Sequence, residues 1–265
     1  IDGDVVRAGA EGRCRMIANY GVGVNHIDLA AAASHGITVS NTPGVLTDAT
    51  ADLTLTLMLM LCRRAGEGER ELRAGEWSGW RPTHLVGRQM TGKTLGIIGM
   101  GRIGRAVAHR AHFGFGMEIV FQNRSPVEDG AGVGGRQLAS VTEVCAASDF
   151  VSLHCAATPE TRHILGREAL AAMSPSAYVI NTARGDVVDE DALVAALESG
   201  AIGGAGLDVF QGEPKVNPAI IAAPNNVLLP HLGSATEETR VAMGMKVFEN
   251  ARAFAMNEAL PDKVG

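Results

Sequence analysis

Three short segments of this sequence each carry an ionisable residue just after a hydrophobic run: Val179-Ile-Asn-Thr-Ala-Arg184-Gly185, Leu207-Asp208-Val-Phe-Gln-Gly-Glu213-Pro214 and Leu229-Pro-His231-Leu-Gly233-Ser234. A cation, an acid and an imidazole are the set that reduction of a 2-oxo acid requires. The cation holds the carboxylate, the imidazole gives a proton to the carbonyl oxygen, and the acid tunes the imidazole. Singly each signal is weak, since a histidine is more often a structural hydrogen bonder and Glu-Pro is an ordinary turn start. Their weight comes from position: in doubly wound sheets, ligands bind where strands end at their carboxyl side.

A fourth segment, Leu95-Gly-Ile-Ile-Gly99-Met-Gly101-Arg102-Ile103-Gly104-Arg-Ala-Val, sets GxGxxG directly between a hydrophobic run and a helical pattern. Gly99 permits the tight turn, Gly101 lets a pyrophosphate approach the backbone, and Gly104 allows close helix–strand packing. Arg102 and Ile103 open the helix whose N-terminus faces the phosphate charge. About 20 residues on, where an Asp or Glu would grip a ribose diol, the chain reads Phe121-Gln122-Asn123-Arg124-Ser125. Arg124 can pair with a 2′-phosphate, and Asn123 and Ser125 can donate hydrogen bonds to it. NADP(H) is therefore the preferred cofactor, with NAD(H) possible; the bland alternative is a solvated surface arginine.

These segments need a scaffold, and the pattern between Leu95 and Leu229 supplies one. Strands are predicted at Leu95–Ile98, Glu118–Phe121, Phe150–His154, Tyr178–Asn181, Gly206–Val209 and Val227–Leu229. Helices are predicted at Ile103–Phe113, Val141–Ala147, Arg167–Met173 and Glu190–Ser199, the last between an Asp189 N-cap and Gly200. Such alternation specifies a parallel sheet with crossover helices. Upstream, Arg15–Tyr20 and Thr38–Ser40 read as strands around an Ile27–His35 helix. Two long apolar helices, Ala49 to about Glu71 and Thr236 to about Met256, flank the central unit. Residues 49–233 are expected to form a dinucleotide-binding domain, and residues 1–48 with 234–265 a discontinuous substrate domain. Val127–Gly135 reads as a Gly-rich surface loop.

Composition agrees with small-molecule chemistry. The 265 residues are 46% apolar and 20% charged with a net charge of −6, which excludes disorder and gives no basic footprint for nucleic acid. Glycine is abundant, 33 of 265 residues, or about 12% against a usual ~7%. The longest apolar stretch, Leu53–Cys62, is about half a membrane span, so no membrane partner is expected. Cys14, Cys62, Cys145 and Cys155 lack zinc spacing and read as reduced thiols of a cytoplasmic protein, with no metal site. The paired Trp77 and Trp80 read as a substrate-side wall or an interdomain anchor.

Taken in order, these segments resemble the D-2-hydroxyacid dehydrogenase family almost end to end. Further matches are Asn19-Tyr-Gly-Val-Gly-Val-Asn-His-Ile-Asp28, Asn41-Thr-Pro-Gly44, Thr50-Ala-Asp52, Gly92-Lys-Thr-Leu-Gly96 and Thr158-Pro-Glu-Thr161. Trp77-Ser-Gly-Trp80-Arg-Pro-Thr83 and Asn123-Arg124-Ser125 look most like the glyoxylate/hydroxypyruvate reductase branch. The resemblance implies an α/β architecture: a doubly wound Rossmann-type domain with a smaller flavodoxin-like substrate domain, here lacking its first part. It implies His231 as general acid/base, Glu213 as its partner and Arg184 as the cation for the substrate's carboxylate and carbonyl oxygen. The backbone amides of Val22 and Gly23 would hold the carboxylate from the small domain. Asp208, the Thr182–Ala183 backbone and Gly233 would meet the nicotinamide, with Thr50 and Thr158 as further contacts. A homodimer acting on a short 2-oxo or 2-hydroxy acid is expected. Cys155-Ala156-Ala157 departs from the family, which usually has a proline there.

Two rivals share the fold. Corepressor-like scaffolds sense dinucleotides without turnover, but the polar triad suits catalysis better. A formate dehydrogenase needs no proton-donating acid pair, whereas Glu213 with His231 suits a carbonyl becoming an alcohol.

Overall fold

The computed structural model describes residues 1–264, which divide into two compact units, Thr50–Gly233 and residues 1–49 with the stretch from Ser234 onward. In the smaller unit, α1 (Gly3–Glu11), β1 (Met16–Ala18), α2 (Leu29–Ser34) and β2 (Thr38–Ser40) come first in the chain. Asp2 and Asp28 cap the two helices, their carboxylates accepting the Val5 and Ala31 amides. α3 (Thr47–Cys62) and α4 (Ala65–Arg73) follow; α10 (Glu237–Ala255) and β10 (Lys263–Val264) return to the small unit. β1 pairs in parallel with β2, and β10 runs antiparallel on the other side of β2. Val6, Ile27, Ala32, Ile37 and Val39 form its core.

The larger unit holds β3 (Thr94–Ile98), β4 (Glu118–Gln122), β5 (Arg136–Gln137), β6 (Phe150–Leu153), β7 (Tyr178–Asn181), β8 (Gly204–Leu207) and β9 (Asn226–Leu228). They form one sheet in the order β5-β4-β3-β6-β7-β8-β9, every neighbouring pair parallel. Chain order reverses between β3 and β6, the switch point at which a crevice opens. Between strands run α5 (Arg102–Phe115), α6 (Val141–Ala147), α7 (Arg167–Ala171), α8 (Glu190–Glu198) and α9 (Pro218–Ala222).

The alternation of side chains along each strand sorts the core into two layers. Val151, Leu153 and Val179 pack with Val144 of α6, Leu170 of α7 and Leu193 of α8. Leu95, Ile97, Phe150 and Ile180 pack with Leu57 and Met58 of α3 and Val107 and Ala111 of α5. Because both faces are covered, the strands read as apolar runs. Asp189 does cap α8, its carboxylate accepting the Ala192 amide.

Three expectations are corrected. The single helix foreseen from Ala49 to Glu71 breaks after Cys62, with Arg64 in the left-handed region at φ 51°. Its cause is remote in sequence: the Cys62 carbonyl accepts the Arg88 amide at 2.7 Å, and Gly87 lies where any Cβ would strike that carbonyl. The fifth expected strand lies two residues earlier, at Gly204–Leu207. Gly206 leaves room for Leu57 and Leu61, so glycine serves in the strand, while Asp208 and Val209 leave the ladder. In the stretch expected to be a surface loop, a 3-10 turn at Glu128–Gly132 buries Ala131 and leads into edge strand β5. Trp77 and Trp80 stand exposed, and no helix among the described residues is long and apolar enough to cross a membrane.

His154 follows β6 directly; the residue is half-buried, with its ring nitrogens turned toward the sheet. Its Nε2 lies 2.9 Å from the Ser152 hydroxyl, and its buried Nδ1 meets no protein partner among the described residues. Desolvation pushes its pKa down to about 3. Between that value and its ordinary 6.5, the unfolded chain binds a proton that the folded chain refuses, so folding stability must fall as pH drops through this window. The slope is at most ~1.4 kcal/mol per pH unit. In denaturant titrations at pH 7 and 5, the stability of the wild-type chain relative to His154→Gln should decline with acidification. A difference that does not change with pH would contradict the neutral, buried imidazole.

Candidate active site

Every strand of the larger sheet points its carboxyl end the same way, so the loops after β3, β4, β7, β8 and β9 gather at one end. At β3 the turn is built by glycine. Gly99 has φ 96°, and a Cβ there would lie 2.6 Å from the Cys155 amide nitrogen. A Cβ on Gly104 would run into the Gly99 carbonyl, while one on Gly101 would meet nothing within 4 Å. Two glycines therefore serve close packing, and the third leaves open space before the first turn of α5. The unpaired amides of Arg102, Ile103 and Gly104 at that helix start suit an anion. A dinucleotide pyrophosphate fits these residues.

The loop after β4 is tied to this turn. Asn123 Oδ1 accepts the Met100 amide at 3.1 Å, and Asn123 Nδ2 donates to the Ser125 carbonyl at 3.0 Å. Asn123, expected to reach a phosphate, thus spends its amide on bracing the loop; Arg124 and Ser125 are exposed. The Glu160 carboxyl is held below its ordinary range, chiefly by the Thr158 hydroxyl and also by the Arg124 charge.

At the ends of β7, β8 and β9 the ionisable residues converge. Asn181 Nδ2 donates to the Arg184 carbonyl at 2.8 Å and Asn181 Oδ1 accepts the Ala183 amide at 3.0 Å, which shapes the Thr182–Arg184 turn. Arg184 donates to the Ala183 carbonyl at 2.6 Å. Burial lowers its pKa while the Glu213 charge opposes that shift. Asp208 is 1% exposed. Its carboxylate accepts the Leu232 amide at 2.7 Å and the Gly233 amide at 2.8 Å, and its carbonyl accepts the His231 amide at 2.9 Å. Desolvation raises the Asp208 pKa, against the two amides and the nearby His231.

Held in this way, His231 adopts φ 56°, a left-handed conformation uncommon outside glycine. Its Nδ1 lies 2.8 Å from Glu213 Oε2. The other oxygen, Glu213 Oε1, accepts the Phe210 amide at 2.8 Å. A carboxylate only accepts, so His231 Nδ1 carries the proton of this bond and Nε2 is the nitrogen left for chemistry. The imidazole remains 49% exposed, open to a ligand and to solvent protons.

Thr50, Thr54 and Thr182 buttress the same loops. Thr50 Oγ1 donates to the Gly233 carbonyl at 2.9 Å, and Thr54 Oγ1 lies 3.0 Å from Thr182 Oγ1. The Thr50 hydroxyl, expected at the cofactor, is thus engaged within the protein. Thr158 caps a short turn over Pro159–Thr161. Val22 and Gly23 belong to the small unit, where Asn41 Nδ2 donates to the Val22 carbonyl at 2.9 Å and Asn19 Nδ2 to the Gly23 carbonyl at 3.1 Å. No group of three or more His, Cys, Asp or Glu suited to a metal occurs among the described residues.

Sequence reasoning missed several braces: Asn181, Thr54, Gln137 and Glu190. Glu190, buried in the first turn of α8, accepts the Gln211 amide at 2.7 Å, supporting the loop that carries Glu213. Asn181 lay within a segment already singled out, and its amide just before a Thr-Ala-Arg turn was the available signal. Gln137 and Glu190 act on distant backbone atoms and Thr54 on a distant hydroxyl, and they left none.

Residues 55–233 match the family model described as D-isomer specific 2-hydroxyacid dehydrogenase, NAD binding domain. Glyoxylate reductase of Thermococcus litoralis is 46% identical over 256 residues, 95% of this chain and 77% of that protein. Among solved structures, a glyoxylate reductase from Paecilomyes thermophila superposes with TM-score 0.89 at 40% identity, covering 99% of this chain and 78% of its own. The NADPH-dependent glyoxylate/hydroxypyruvate reductase of Sinorhizobium meliloti, in complex with NADP and malonate, gives TM-score 0.88 at 38% identity, covering 95% and 77%. With a glycine turn at β3 and a polar cluster two to four strands away in one parallel sheet, the chain belongs to the D-isomer specific 2-hydroxyacid dehydrogenases, NAD(P)-dependent oxidoreductases acting on CH–OH groups.

Proposed function

We propose that this protein reduces a short 2-oxo acid, glyoxylate or hydroxypyruvate, to the corresponding 2-hydroxy acid with NADPH. The observation that carries the reading is the 2.8 Å bond from His231 Nδ1 to Glu213, which fixes the ring and reserves Nε2. The relatives' activities, glyoxylate reduction and NADPH-dependent glyoxylate/hydroxypyruvate reduction, agree with it. Bound along the β3 turn, the nicotinamide dinucleotide supplies a hydride to the C2 carbonyl carbon.

Everything else falls to the chain's own residues. Arg184 pairs with the substrate carboxylate and points a donor at the carbonyl oxygen; its planar fork fixes the orientation. As negative charge builds on the carbonyl oxygen, His231 gives it the Nε2 proton, while Glu213 holds the ring by Nδ1. His231 ends neutral and regains its proton from solvent. Asp208, Thr182, Ala183 and Gly233 would hold the nicotinamide, and Gly99, Gly101, Arg102, Ile103 and Gly104 the pyrophosphate. Arg124 and the Ser125 hydroxyl meet the 2′-phosphate, where no carboxylate stands within Phe121–Ser125 to repel it.

Replacing His231 with Gln should lower kcat by roughly a hundredfold or more, the scale of lost general acid catalysis. Fluorescence titration should find dinucleotide affinity within about twofold of wild type. A near-normal kcat would remove His231 from the chemistry. For the cofactor, kcat/KM with one substrate at fixed low salt should favour NADPH over NADH by about tenfold, the lower range of a charge-assisted hydrogen bond exposed to screening. A clear preference for NADH would overturn the assignment of Arg124.

A further inference from the structure

The loop that carries Arg124 has no ladder of its own beyond the end of β4, yet one distant side chain fastens it. Gln137, on edge strand β5, donates from Nε2 to the Asn123 carbonyl at 3.1 Å and the Ser125 carbonyl at 3.2 Å. Its Oε1 accepts the Val127 amide at 3.0 Å. The two carbonyls bracket Arg124, one on each side. Asn123 completes the frame by reaching from the Met100 amide of the glycine turn to the same Ser125 carbonyl. Pro126 has no amide to offer, so this loop depends on side chains for its shape.

We propose that Gln137 is the positioning residue for cofactor discrimination: it presents Arg124 and the Ser125 hydroxyl to the 2′-phosphate without touching the cofactor itself. The inference rests on the NADPH reading above. Its physical basis is preorganisation. A cation on a loose loop must be ordered when the phosphate binds, and that loss of freedom weakens binding of the 2′-phosphate alone. The pyrophosphate and nicotinamide contacts proposed above lie elsewhere, and no carboxylate within Phe121–Ser125 grips a ribose diol, so NADH gains little from a rigid loop. Residues 123–125 alone therefore under-describe specificity, because a second determinant stands at 137.

The test uses Gln137→Met, which keeps the length of the side chain and removes all three hydrogen bonds. Calorimetric titration with adenosine 2′,5′-bisphosphate and with adenosine 5′-monophosphate reads the phosphate site without turnover. Affinity for the bisphosphate should fall about five- to tenfold, while that for the monophosphate stays within about twofold. The kcat/KM ratio of NADPH to NADH should fall in parallel with kcat unchanged. In an Arg124→Ala background, Gln137→Met should have almost no further effect on the bisphosphate, because both changes act through one contact. Equal weakening of both nucleotides, an unchanged ratio, or additive effects in the double variant would each overturn the inference while leaving the NADPH reading standing. A wild-type chain that binds the two nucleotides equally would instead overturn the NADPH reading, and this inference with it.

Discussion

One buried carboxylate organises the chemical end of the larger sheet. Asp208 leaves β8 just where the strand ends, and burying its charge is tolerable only because each oxygen finds a backbone amide, those of Leu232 and Gly233. The same two bonds wrap the loop after β9 around it. His231 is thereby locked in a left-handed conformation that would cost about 1 kcal/mol or more if its surroundings did not impose it. Its ring then meets Glu213, whose second oxygen is anchored by the Phe210 amide. Desolvation still raises the Asp208 pKa, so the two amides offset the burial of its charge only in part. Without it, two amides would be left unpaired, at ~1–3 kcal/mol each.

The opposite half of the site obeys a steric rule. At the switch point, β3 must turn directly into α5, with backbone from the end of β6 pressed against the turn. Gly99 and Gly104 are there because a methyl group would collide with the Cys155 amide and the Gly99 carbonyl. Gly101 differs, facing open space, and the proposed pyrophosphate would use that space. Asn123 joins the two sides of this turn by accepting the Met100 amide. The glycine turn and the loop after β4 are therefore mechanically connected through one asparagine.

How much of this was legible in the sequence follows from how local each cause is. Asp189 before α8 acts on its immediate neighbours, and the glycines around β3 fall into a diagnostic spacing even though Gly99 packs against Cys155, so both are legible. The polar residues after β7, β8 and β9 were visible because a parallel sheet collects its carboxyl ends. The break at Arg64 was not, since it depends on an amide 26 positions from Cys62, at Arg88. The start of β8 was misplaced because glycine is normally poor in strands, whereas here it makes room for α3. Gln137 escaped notice for a related reason: two residues of edge strand carry no periodicity, and its partners are backbone atoms without sequence identity. Asn123 is legible by its type, whereas the bonds its amide makes to Met100 and Ser125 are not.

The reaction itself can be followed by isotope. NADPH carrying deuterium at both C4 positions of the nicotinamide, incubated with the protein and glyoxylate in ordinary water, should give glycolate with a single deuterium at C2, detectable by mass spectrometry. One label should appear for each NADPH oxidised, because the hydride comes from the cofactor and the hydroxyl proton from His231 and solvent. Glycolate without deuterium, or NADPH that binds and is never oxidised, would contradict the assignment of this site to 2-oxo acid reduction.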